Sequence, residues 1–519
     1  MDSQENMTIR PKKVEPVDLG YLAERLECEI IGTEKPVFVT GVTLDSRDVK
    51  PGDLYVGMPG SKRHGADFAE QVQELGAVAI LTDYKGLEKM RELPQHNQHL
   101  PVLLTKKNPR LILGKTAALI YKTRDPDLKL FGITGTNGKT SVLYILDTLM
   151  NVAGMRTAIS TTAERRIGDT TVESTLTSPE ASELHAFLAR IVEEGIAGVG
   201  LEISAQAVVR HRIDGVLFDV VAFNNFSQDH LDEFGDMESY FQAKLELFNP
   251  RHAKKGVVVV DTPAGRKIVK NSKIPITTMA TEYGQTADWH LAITRQNIDG
   301  VSFVLQGPDN SYFRGSVPLF GAFMAENAAL ALIMLHEAGL NLQKISDAIG
   351  SAPIPVKIPG RLELVSSLGA GPRFYVDYGH TPGSFASIFD ALSEVKTGRV
   401  IFMFGADGDR DTTKREEMGR IASEGSDVLI ICDYHPRFEE PGAIRAQLLA
   451  GAHTATRPAE ILEIADPREA LRYAIKIASK EDIIIYAGPG HETYQEVAGN
   501  MIPYSARDEV RGALREAGY

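Results

Sequence analysis

The stretch FGITGTNGKTS, residues 131–141, constrains the fold of this chain more than any other part of its sequence. An apolar run precedes it, and in the following KTSVLYILDTLMNVAG apolar residues recur at helical spacing up to a glycine. Strand, glycine-rich loop and helix in this order are typical of a phosphate-binding α/β unit, because backbone N–H groups and the helix N-terminus hold phosphate oxygens. We therefore predict a nucleotide site in which Lys139 reaches the outer phosphates and Thr140 binds Mg²⁺. The alternative is a glycine-rich turn that only caps a structural helix.

The spacing of this loop is unusual. Five residues separate Gly132 from Gly138, and an additional glycine, Gly135, lies between them. The common nucleotide-binding loop, G-x-x-x-x-G-K-[ST], has four residues between its glycines. The longer spacing therefore indicates a nucleotide-binding protein whose phosphate loop differs from the common form.

Composition and charge exclude several classes of protein. A chain of 519 residues is too long for one hydrophobic core and suggests two to four domains. The net charge of −13 argues against a nucleic-acid binder, and Cys28 and Cys432 have no metal-ligand or disulfide-framework spacing. The N-terminus lacks the apolar core of a signal peptide, and no apolar run is long enough to span a bilayer. We expect a cytoplasmic monomer without membrane insertion.

Three blocks predict an α/β protein with domains at residues 1–125, 126–356 and 357–519. The first block mixes short strands, Pro-Gly turns and helices, which is typical of a small α/β domain. In the second, the apolar runs in GVGLEIS, DVVAFNNF and GVVVVDT predict a parallel sheet covered by helices. The third block alternates apolar strands with helices in a Rossmann-like pattern. Its strands end in polar or glycine-rich loops, where such sheets bind ligands.

Charged residues that follow these strands are candidates for binding metal and substrates. Glu202 ends an apolar strand, where nucleotide hydrolases place a carboxylate for Mg²⁺ or water; the alternative is an exposed strand end. Arg210 and Arg212 can clamp an anionic substrate, although isolated helix arginines are more often solvated. Arg437 and Glu492 are among the polar residues expected on one rim of the third block. Arginine binds carboxylates and glutamate accepts an ammonium group, which suits an amino-acid substrate.

The segments GITGTNGKTS, LEISAQA, NNFSQDHLD, YFQAKLELF, IPGRLE, VDYGHTP, GADGDRD and GPGHETYQ occur in this order. Together they resemble the Mur ligase family over essentially the whole chain. The first segment alone is shared with folylpolyglutamate synthetases, whereas LDSRDVKPGDLYVGMPG and GHETYQ favour the Mur ligases. The resemblance implies an N-terminal UDP-substrate-binding domain, a central ATP-binding domain and a C-terminal amino-acid-binding domain.

The activity that the resemblance implies is an ATP- and Mg²⁺-dependent ligation in peptidoglycan precursor synthesis. ATP phosphorylates the terminal carboxylate of UDP-N-acetylmuramoyl-L-alanyl-D-glutamate, and the amino group of L-lysine, L-ornithine or meso-diaminopimelate attacks the acyl phosphate. Phosphoryl transfer between two anions requires positive charge and metal. The implied catalytic residues are Lys139, Glu202 and Lys244. In relatives the lysine that matches Lys244 is carbamylated, and this N6-carboxylysine is a carboxylate-like ligand of Mg²⁺.

The resemblance also assigns binding residues to each ligand. The implied ATP-binding residues are Gly135, Thr136, Asn137, Gly138, Lys139, Thr140, Ser141, Asn327, Arg361, Asp377 and His380. Those implied for the UDP-substrate are Leu44, Ser46, Ser61, Lys62, Arg63, Thr177, Ser178, Ser204, Arg210 and Arg212. The incoming amino acid would face Arg410, His435, Arg437, Gly488 and Glu492. The implied Mg²⁺ ligands are Thr140, Glu202, Gln206 and Lys244.

Three departures from the family pattern bear on activity and specificity. Gln206 replaces a histidine tied to the second metal, although an amide oxygen also suits Mg²⁺. Members that add diaminopimelate carry D-N-P-R, in which the arginine grips the distal carboxylate. Here that arginine is Arg437, but Tyr434 and His435 replace the aspartate and asparagine. Pro489 replaces the lysine of the usual G-K-G-H-E. The lysine-adding form of the family lacks the arginine that matches Arg437 and does not match either, so the sequence leaves the amino acid open.

Two other functions stay open at this stage. A folylpolyglutamate-type ligase would share the glycine-rich loop, but the N-terminal DSRDVKPGDLYVG speaks against it. A non-catalytic paralogue would bind nucleotide or UDP-sugar without ligation, and Gln206 and Pro489 are its support.

Overall fold

The computed structural model describes residues 9–60, 62–93, 100–172, 176–282, 284–369 and 371–519. Within them, three larger sheets carry helices on their faces, which confirms the predicted α/β class. The predicted UDP-binding residue Ser61 lies outside the described residues. No helix in the described part is long and apolar enough to cross a membrane.

The central sheet is built around β8 (Lys129–Thr134), the strand that leads into the glycine-rich loop. It pairs in parallel with β12 (Gly198–Glu202) and β13 (Phe218–Phe223). Phe131 and Leu130 belong to separate buried apolar clusters, so successive side chains of β8 pack on opposite faces. Burial on both faces explains why these strands are continuous apolar runs in the sequence.

Helices cover both faces of this sheet. The other strands of this part are β9 (Thr157–Ser160), β10 (Arg165–Ile167), β11 (Thr170–Val172), β14 (Ala253–Val259), β15 (Ile276–Ala280), β16 (Trp289–Asn297), β17 (Gly300–Gln306) and β18 (Tyr312–Val317). Its helices are α5 (Lys139–Val152), α6 (Ala181–Glu193), α7 (Ala205–Val209), α8 (Leu231–Phe234), α9 (Met237–Leu245), α10 (Pro263–Asn271), α11 (Ala322–Glu337) and α12 (Leu342–Ile349). In the described residues the strand order is β11-β10-β9-β12-β8-β13-β14-β15-β16-β17-β18.

Antiparallel strands, which the sequence did not predict, extend the sheet at both edges. β16, β17 and β18 form a meander, and β9, β10 and β11 form another at the opposite edge. In β17, Val301, Phe303 and Leu305 are buried in the cluster that includes α11, whereas the residues between them are partly exposed. Such alternation is typical of antiparallel strands with one solvated face. The predicted parallel sheet is confirmed for β8, β12, β13 and β14, and the antiparallel strands lie outside them.

The first part of the chain forms a smaller sheet in the order β2-β7-β6-β5-β4 over the residues described. A short pair, β1 (Val17–Asp18) and β3 (Phe38–Val39), lies beside it. The strands of the sheet are β2 (Glu29–Ile31), β4 (Gly41–Thr43), β5 (Asp53–Gly57), β6 (Ala79–Thr82) and β7 (Val102–Leu104). The helices are α1 (Leu19–Leu26), α2 (Ala69–Glu74), α3 (Tyr84–Arg91) and α4 (Arg110–Tyr121).

The last part forms a sheet in the order β19-β20-β24-β21-β22-β23, again over the described residues. Four neighbouring strands, β20, β24, β21 and β22, run parallel, so their carboxyl ends share one edge. The strands are β19 (Glu363–Leu364), β20 (Arg373–Asp377), β21 (Val400–Phe404), β22 (Val428–Ile431), β23 (Glu460–Glu463), β24 (Ile483–Ala487) and the separate pair β25 (Tyr494–Val497) and β26 (Asn500–Pro503). The helices are α13 (Pro382–Ser393), α14 (Arg415–Gly425), α15 (Pro441–Ala452), α16 (Pro467–Ile477) and α17 (Ala506–Glu516).

Two of these helices, α14 and α15, pack unusually close together because glycines face backbone. A Cβ added at Gly451 would lie 1.8 Å from the Glu416 carbonyl oxygen, and one at Gly419 would lie 2.0 Å from that of Leu448. The loops that precede these helices follow β21 and β22 at the shared edge of the sheet. Close helix packing therefore sets the separation of two loops that carry predicted site residues.

We expect Gly451→Ala to destabilise the protein, because the helices must separate to admit a methyl group. Overpacking of this kind costs about 1–3 kcal/mol, which exceeds the gain of about 1 kcal/mol in helix propensity. Gly512→Ala in α17 is the matched control, since nothing lies within 4 Å of its added Cβ. Urea unfolding should show a lower midpoint for Gly451→Ala and an unchanged or higher one for Gly512→Ala. Equal midpoints for the two variants would contradict the close packing.

Candidate active site

The glycine-rich loop, residues 135–141, is held in shape by the loop that follows β13. The Asn225 carbonyl accepts from the Thr136 N–H at 3.0 Å, and its side-chain oxygen accepts from the Asn137 N–H at 2.8 Å. Gly138 has a φ of +83°, and a Cβ there would lie 2.4 Å from the Asn224 side chain and 2.8 Å from that of Asn327. Only glycine satisfies both the backbone angle and this contact. α5 then begins at Lys139, so its N-terminus faces the cavity beside the loop.

Two lysines donate to the same carbonyl of this loop. Lys139 Nζ donates to the Gly135 and Thr136 oxygens at 3.1 and 2.9 Å, and Lys244 Nζ donates to the Gly135 oxygen at 2.8 Å. Burial lowers the pKa of Lys139, and burial together with the charge of Lys139 lowers the pKa of Lys244 well below its usual value. Lys244 also lies over the ring of Tyr240, with Nζ 4.5 Å from the ring centroid. Its surroundings therefore favour a neutral amine.

Oxygen ligands meet at the first turn of α5. The Thr140 hydroxyl donates to Glu202 Oε1 at 2.5 Å, and the Thr162 hydroxyl donates to Glu202 Oε2 at 2.8 Å. Arg361 donates to the Thr140 hydroxyl at 3.1 Å, which brings the last part of the chain to the same point. Gln206 lines the same cavity. A hydroxyl, a buried carboxylate and an amide oxygen are the ligand types that Mg²⁺ prefers, so these residues fit that ion.

One cavity of about 760 Å³ brings together most of the predicted site residues. The predicted residues that line it are Thr136, Asn137, Gly138, Lys139, Thr140, Ser141, Thr177, Ser178, Glu202, Ser204, Gln206, Arg210, Arg212, Asn327, Arg361, Asp377, His380, Arg410, Arg437 and Glu492. Gly135 and Lys244 lie directly behind this lining, joined by the hydrogen bond described above.

The connection into the last sheet is fixed by Asp377. Its two carboxylate oxygens accept from the Leu362 N–H at 2.7 Å and the Gly379 N–H at 2.6 Å. Burial raises the pKa of this carboxyl. The Arg361 guanidinium lies over the Tyr378 ring at 4.3 Å, and His380 Nδ1 donates to the Tyr378 carbonyl at 2.8 Å. Asp377 therefore aligns the segment that carries Arg361 with the loop that carries His380.

At the other end of the cavity, acidic and aromatic side chains surround Glu492. His435 Nε2 donates to Glu492 Oε2 at 2.7 Å, and the Tyr434 hydroxyl donates to the same oxygen. Burial opposes ionisation of Glu492, but the bonds from His435 and Tyr434 outweigh it and lower its pKa. Gly488 has a φ of +114° and passes close to the Tyr434 ring. His435 and Gly488 thus lie behind Glu492 rather than in the lining of the cavity.

The residues predicted for the UDP-substrate fall into two separate groups. Ser178 donates to the Glu202 carbonyl at 2.7 Å, and Arg212 donates to Glu180 at 3.0 Å, so the cavity group is held by the central sheet. The other group follows the strands of the first sheet and does not line the described cavity: Leu44, Ser46, Lys62 and Arg63. Arg110 in α4 joins the two parts, because it donates to Glu180 at 2.9 Å.

Several residues of the site were not predicted from the sequence. Asn224 and Asn225 hold the glycine-rich loop, and Asp229 pairs with Lys414 across the cavity at 3.3 Å. The signal was the dense polar run NNFSQDH after the strand that became β13, a neighbour of β8. Glu326, in the same cavity, was also missed; burial raises its pKa to about 7.

Comparisons with known proteins agree with this geometry. Family models described as the Mur ligase family catalytic domain, the Mur ligase middle domain and the Mur ligase glutamate ligase domain match residues 38–117, 133–335 and 360–490. The chain is 48% identical over 516 residues to a UDP-N-acetylmuramyl-tripeptide synthetase of Leifsonia xyli, covering 98% of both chains. The chain belongs to the Mur ligase family. It is therefore an ATP-dependent amide-bond ligase.

Two further relatives of this Mur ligase have more specific names. A UDP-N-acetylmuramoyl-L-alanyl-D-glutamate–2,6-diaminopimelate ligase of Streptomyces coelicolor is 37% identical over 515 residues, covering 98% of both chains. A solved structure of an enzyme with the same name is 27% identical, with a TM-score of 0.65, and covers 97% of this chain and 100% of its own. The Mur ligase fold thus extends over all three sheets.

We expect Gly138→Ala in this Mur ligase to weaken ATP binding at least tenfold, because the added methyl displaces Asn224 and Asn327 and distorts the loop. Gly154→Ala is the matched control: its φ is +82°, but nothing lies within 4 Å of the added Cβ. Backbone strain of about 1–3 kcal/mol is then common to both variants. Isothermal titration with ATP and Mg²⁺ measures the difference. If both variants bind ATP equally well, the contact with the two asparagines is irrelevant to the site.

Proposed function

We propose that this protein joins an amino acid to the terminal carboxylate of UDP-N-acetylmuramoyl-L-alanyl-D-glutamate through an acyl phosphate, in peptidoglycan precursor synthesis. The names of the two curated relatives support this substrate. The observation that carries the proposal is the single cavity in which the glycine-rich loop, the pair Arg210 and Arg212, and Glu492 all take part. A nucleotide site, an anion site and an amino-acid site in one cavity suit a three-substrate ligase.

The reaction would proceed in two transfers. An oxygen of the substrate carboxylate attacks the terminal phosphorus of ATP, and ADP leaves as the acyl phosphate forms. The uncharged amino group then attacks the acyl carbon, loses a proton, and displaces inorganic phosphate to give the amide. Lys139 and Arg361 supply positive charge beside the loop, where charge develops on the transferred phosphoryl group. Arg210 and Arg212 each pair with one carboxylate, Glu233 and Glu180, and their remaining N–H donors would orient the anionic peptide.

Mg²⁺ would be held by Thr140, Glu202 and Gln206, with Lys244 as N6-carboxylysine. The ion supplies charge neutralisation for phosphoryl transfer when it is bound. Carbamylation requires a neutral amine that adds to carbon dioxide, and burial keeps the pKa of Lys244 well below its usual value. The side chain lies at the Gly135 carbonyl, directly behind the glycine-rich loop. The site chemistry of Lys244 thus supports the modification.

The UDP end of the substrate would contact the first part of the chain. The loop after β4 carries Leu44 and Ser46, and the exposed Lys62 and Arg63 lie in the turn between Pro59 and His64. Two cations on a turn suit a diphosphate. The first block, at residues 1–125, would then act as the UDP-binding domain, the block at 126–356 as the ATP-binding domain and that at 357–519 as the amino-acid-binding domain.

Ligation itself is the test of this function. The purified protein is mixed with ATP, Mg²⁺ and UDP-N-acetylmuramoyl-L-alanyl-D-glutamate, and amino acids are offered singly while phosphate release and product mass are followed. A product heavier by one amino-acid residue, with stoichiometric ADP, supports the proposal. Tight binding of the UDP-substrate without ADP release would favour the non-catalytic paralogue. A parallel reaction offers glutamate and a folate in place of the UDP-substrate. Ligation in that reaction only would favour the folylpolyglutamate-type ligase.

We expect Lys244→Ala to lower turnover at least a thousandfold, because a metal ligand is lost beside the transferred phosphoryl group. A small carboxylate such as acetate in the buffer should restore part of the activity by taking the place of the carbamate. Lys267→Ala is the control, since Lys267 is on the exposed side of α10 and pairs with Glu238. The steady-state rate of ADP release is measured for the wild type and for both variants. Full activity of Lys244→Ala would contradict the role of this lysine.

A further inference from the structure

The guanidinium of Arg437 is already neutralised within the protein. Its Nε donates to Glu496 Oε2 at 3.0 Å, its Nη2 to Asp407 Oδ1 at 3.3 Å, and its Nη1 to the Gly408 carbonyl at 3.2 Å. Two carboxylates thus share one cation. The family pattern led us to expect that Arg437 grips a distal carboxylate of the incoming amino acid. A third carboxylate would have to compete with Asp407 and Glu496 for the same guanidinium.

Glu492, in the same cavity, carries a charge without a cationic partner. His435 Nδ1 accepts from the Glu496 N–H at 2.7 Å, so the proton of the imidazole is on Nε2, which donates to Glu492 at 2.7 Å. A ring that accepts at one nitrogen and donates at the other is neutral. The other donors to Glu492 are the hydroxyls of Tyr434 and, at 3.5 Å, Tyr378, which are also neutral. Among the described residues, no lysine or arginine donates to the Glu492 carboxylate.

The balance of charge at this end of the cavity is negative. Asp407 and Glu496 pair with the guanidinium of Arg437, and the carboxylate of Glu492 lines the same cavity. The buried Asp411 lines the same cavity, and among the described residues its Oδ2 has no hydrogen-bond partner. Nearby, Lys414 is paired with Asp229 at 3.3 Å. A cationic ligand group would complete this set of carboxylates, whereas an anionic group would be repelled.

Arg410 is a cation near this acidic end that is available for a carboxylate. The exposed Arg410 lines the cavity, and its side chain forms no hydrogen bond or ion pair with any residue that the structure describes. It lies on the loop after β21 that also carries Asp407. An amino acid that places its α-carboxylate at Arg410 can therefore direct its side chain toward the acidic end.

We propose that the amino acid ligated by this protein carries a distal ammonium group, as lysine and ornithine do, and not a distal carboxylate. This inference rests on the proposed function and names the substrate class of the same site. Glu492 and Asp407 would bind the distal ammonium, and Glu496 would act as a specificity determinant by holding Arg437 away from the substrate.

In the first test, four amino acids are compared as substrates: L-lysine, L-ornithine, L-norleucine and meso-diaminopimelate. Each reaction contains the full chain, ATP, Mg²⁺ and UDP-N-acetylmuramoyl-L-alanyl-D-glutamate. L-Norleucine has the four-carbon side chain of lysine without the ammonium group, and meso-diaminopimelate carries a distal carboxylate beside its distal ammonium. We expect kcat/KM for L-lysine or L-ornithine to exceed that for L-norleucine by about 10- to 100-fold, the size of a charge-assisted hydrogen bond. The advantage over meso-diaminopimelate should be at least as large.

The second test is Glu496→Gln, which removes one negative charge yet leaves an oxygen that accepts from Arg437 Nε. We expect the ratio of kcat/KM for lysine to that for meso-diaminopimelate to fall at least tenfold, because Arg437 becomes available to a substrate carboxylate. Glu463→Gln is the matched control, since Glu463 pairs with Arg445 outside the cavity lining. Should Glu496→Gln fail to fold, Glu496→Ser removes the same charge with a smaller side chain and tests the same release of Arg437.

The results of these two tests separate failure of the inference from failure of the proposed function. A preference for meso-diaminopimelate, or equal use of norleucine and lysine, overturns the inference alone and leaves the ligase intact. An unchanged ratio in Glu496→Gln overturns the role of Glu496. Ligation of none of the four amino acids overturns both the inference and the proposed function.

Discussion

The shape of the glycine-rich loop is the constraint on which the rest of the site depends. The loop after β13 holds it through Asn225, and Gly138 supplies a backbone angle and a contact that only glycine permits. Because α5 begins at the next residue, the directions of Lys139 and Thr140 follow from that shape. Thr140 in turn is the point at which Glu202 and Arg361 meet. A distortion at residue 138 would therefore displace Lys139 as well as the cluster of Thr140, Glu202 and Arg361.

Contacts between the central and last parts of the chain complete the cavity. Arg361 reaches Thr140, and Lys414 pairs with Asp229, so each part supplies charge to the other. The carboxyl ends of the parallel strands β8, β12 and β13 face those of β20, β21 and β24 through their loops. Ligands bind at such strand ends because loop side chains and backbone groups are free there.

Much of this site was predictable from residue patterns, and the rest depended on neighbours in space. The strand, loop and helix around Lys139 were evident, since the pattern is local and each step has a chemical reason. The antiparallel strands at the sheet edges were missed because a half-buried strand gives a weak alternating signal. The partners of Arg437 were also missed, since Asp407 and Glu496 are distant in sequence. The charge balance of this region depends on such pairs, which no single motif shows.

The sequence by itself determined the α/β class, the nucleotide loop and the family, because glycine spacing, strand-end acids and apolar runs act over a few residues. The tertiary structure alone decided which charges neutralise one another. Lys244 is an ordinary helix lysine in the sequence, but folding buries its amine against the Gly135 carbonyl and lowers its pKa. Arg437 is likewise a free cation in the sequence and a paired one in the fold. Burial and pairing depend on distances of a few ångströms between residues far apart in the chain, and those distances exist only after folding.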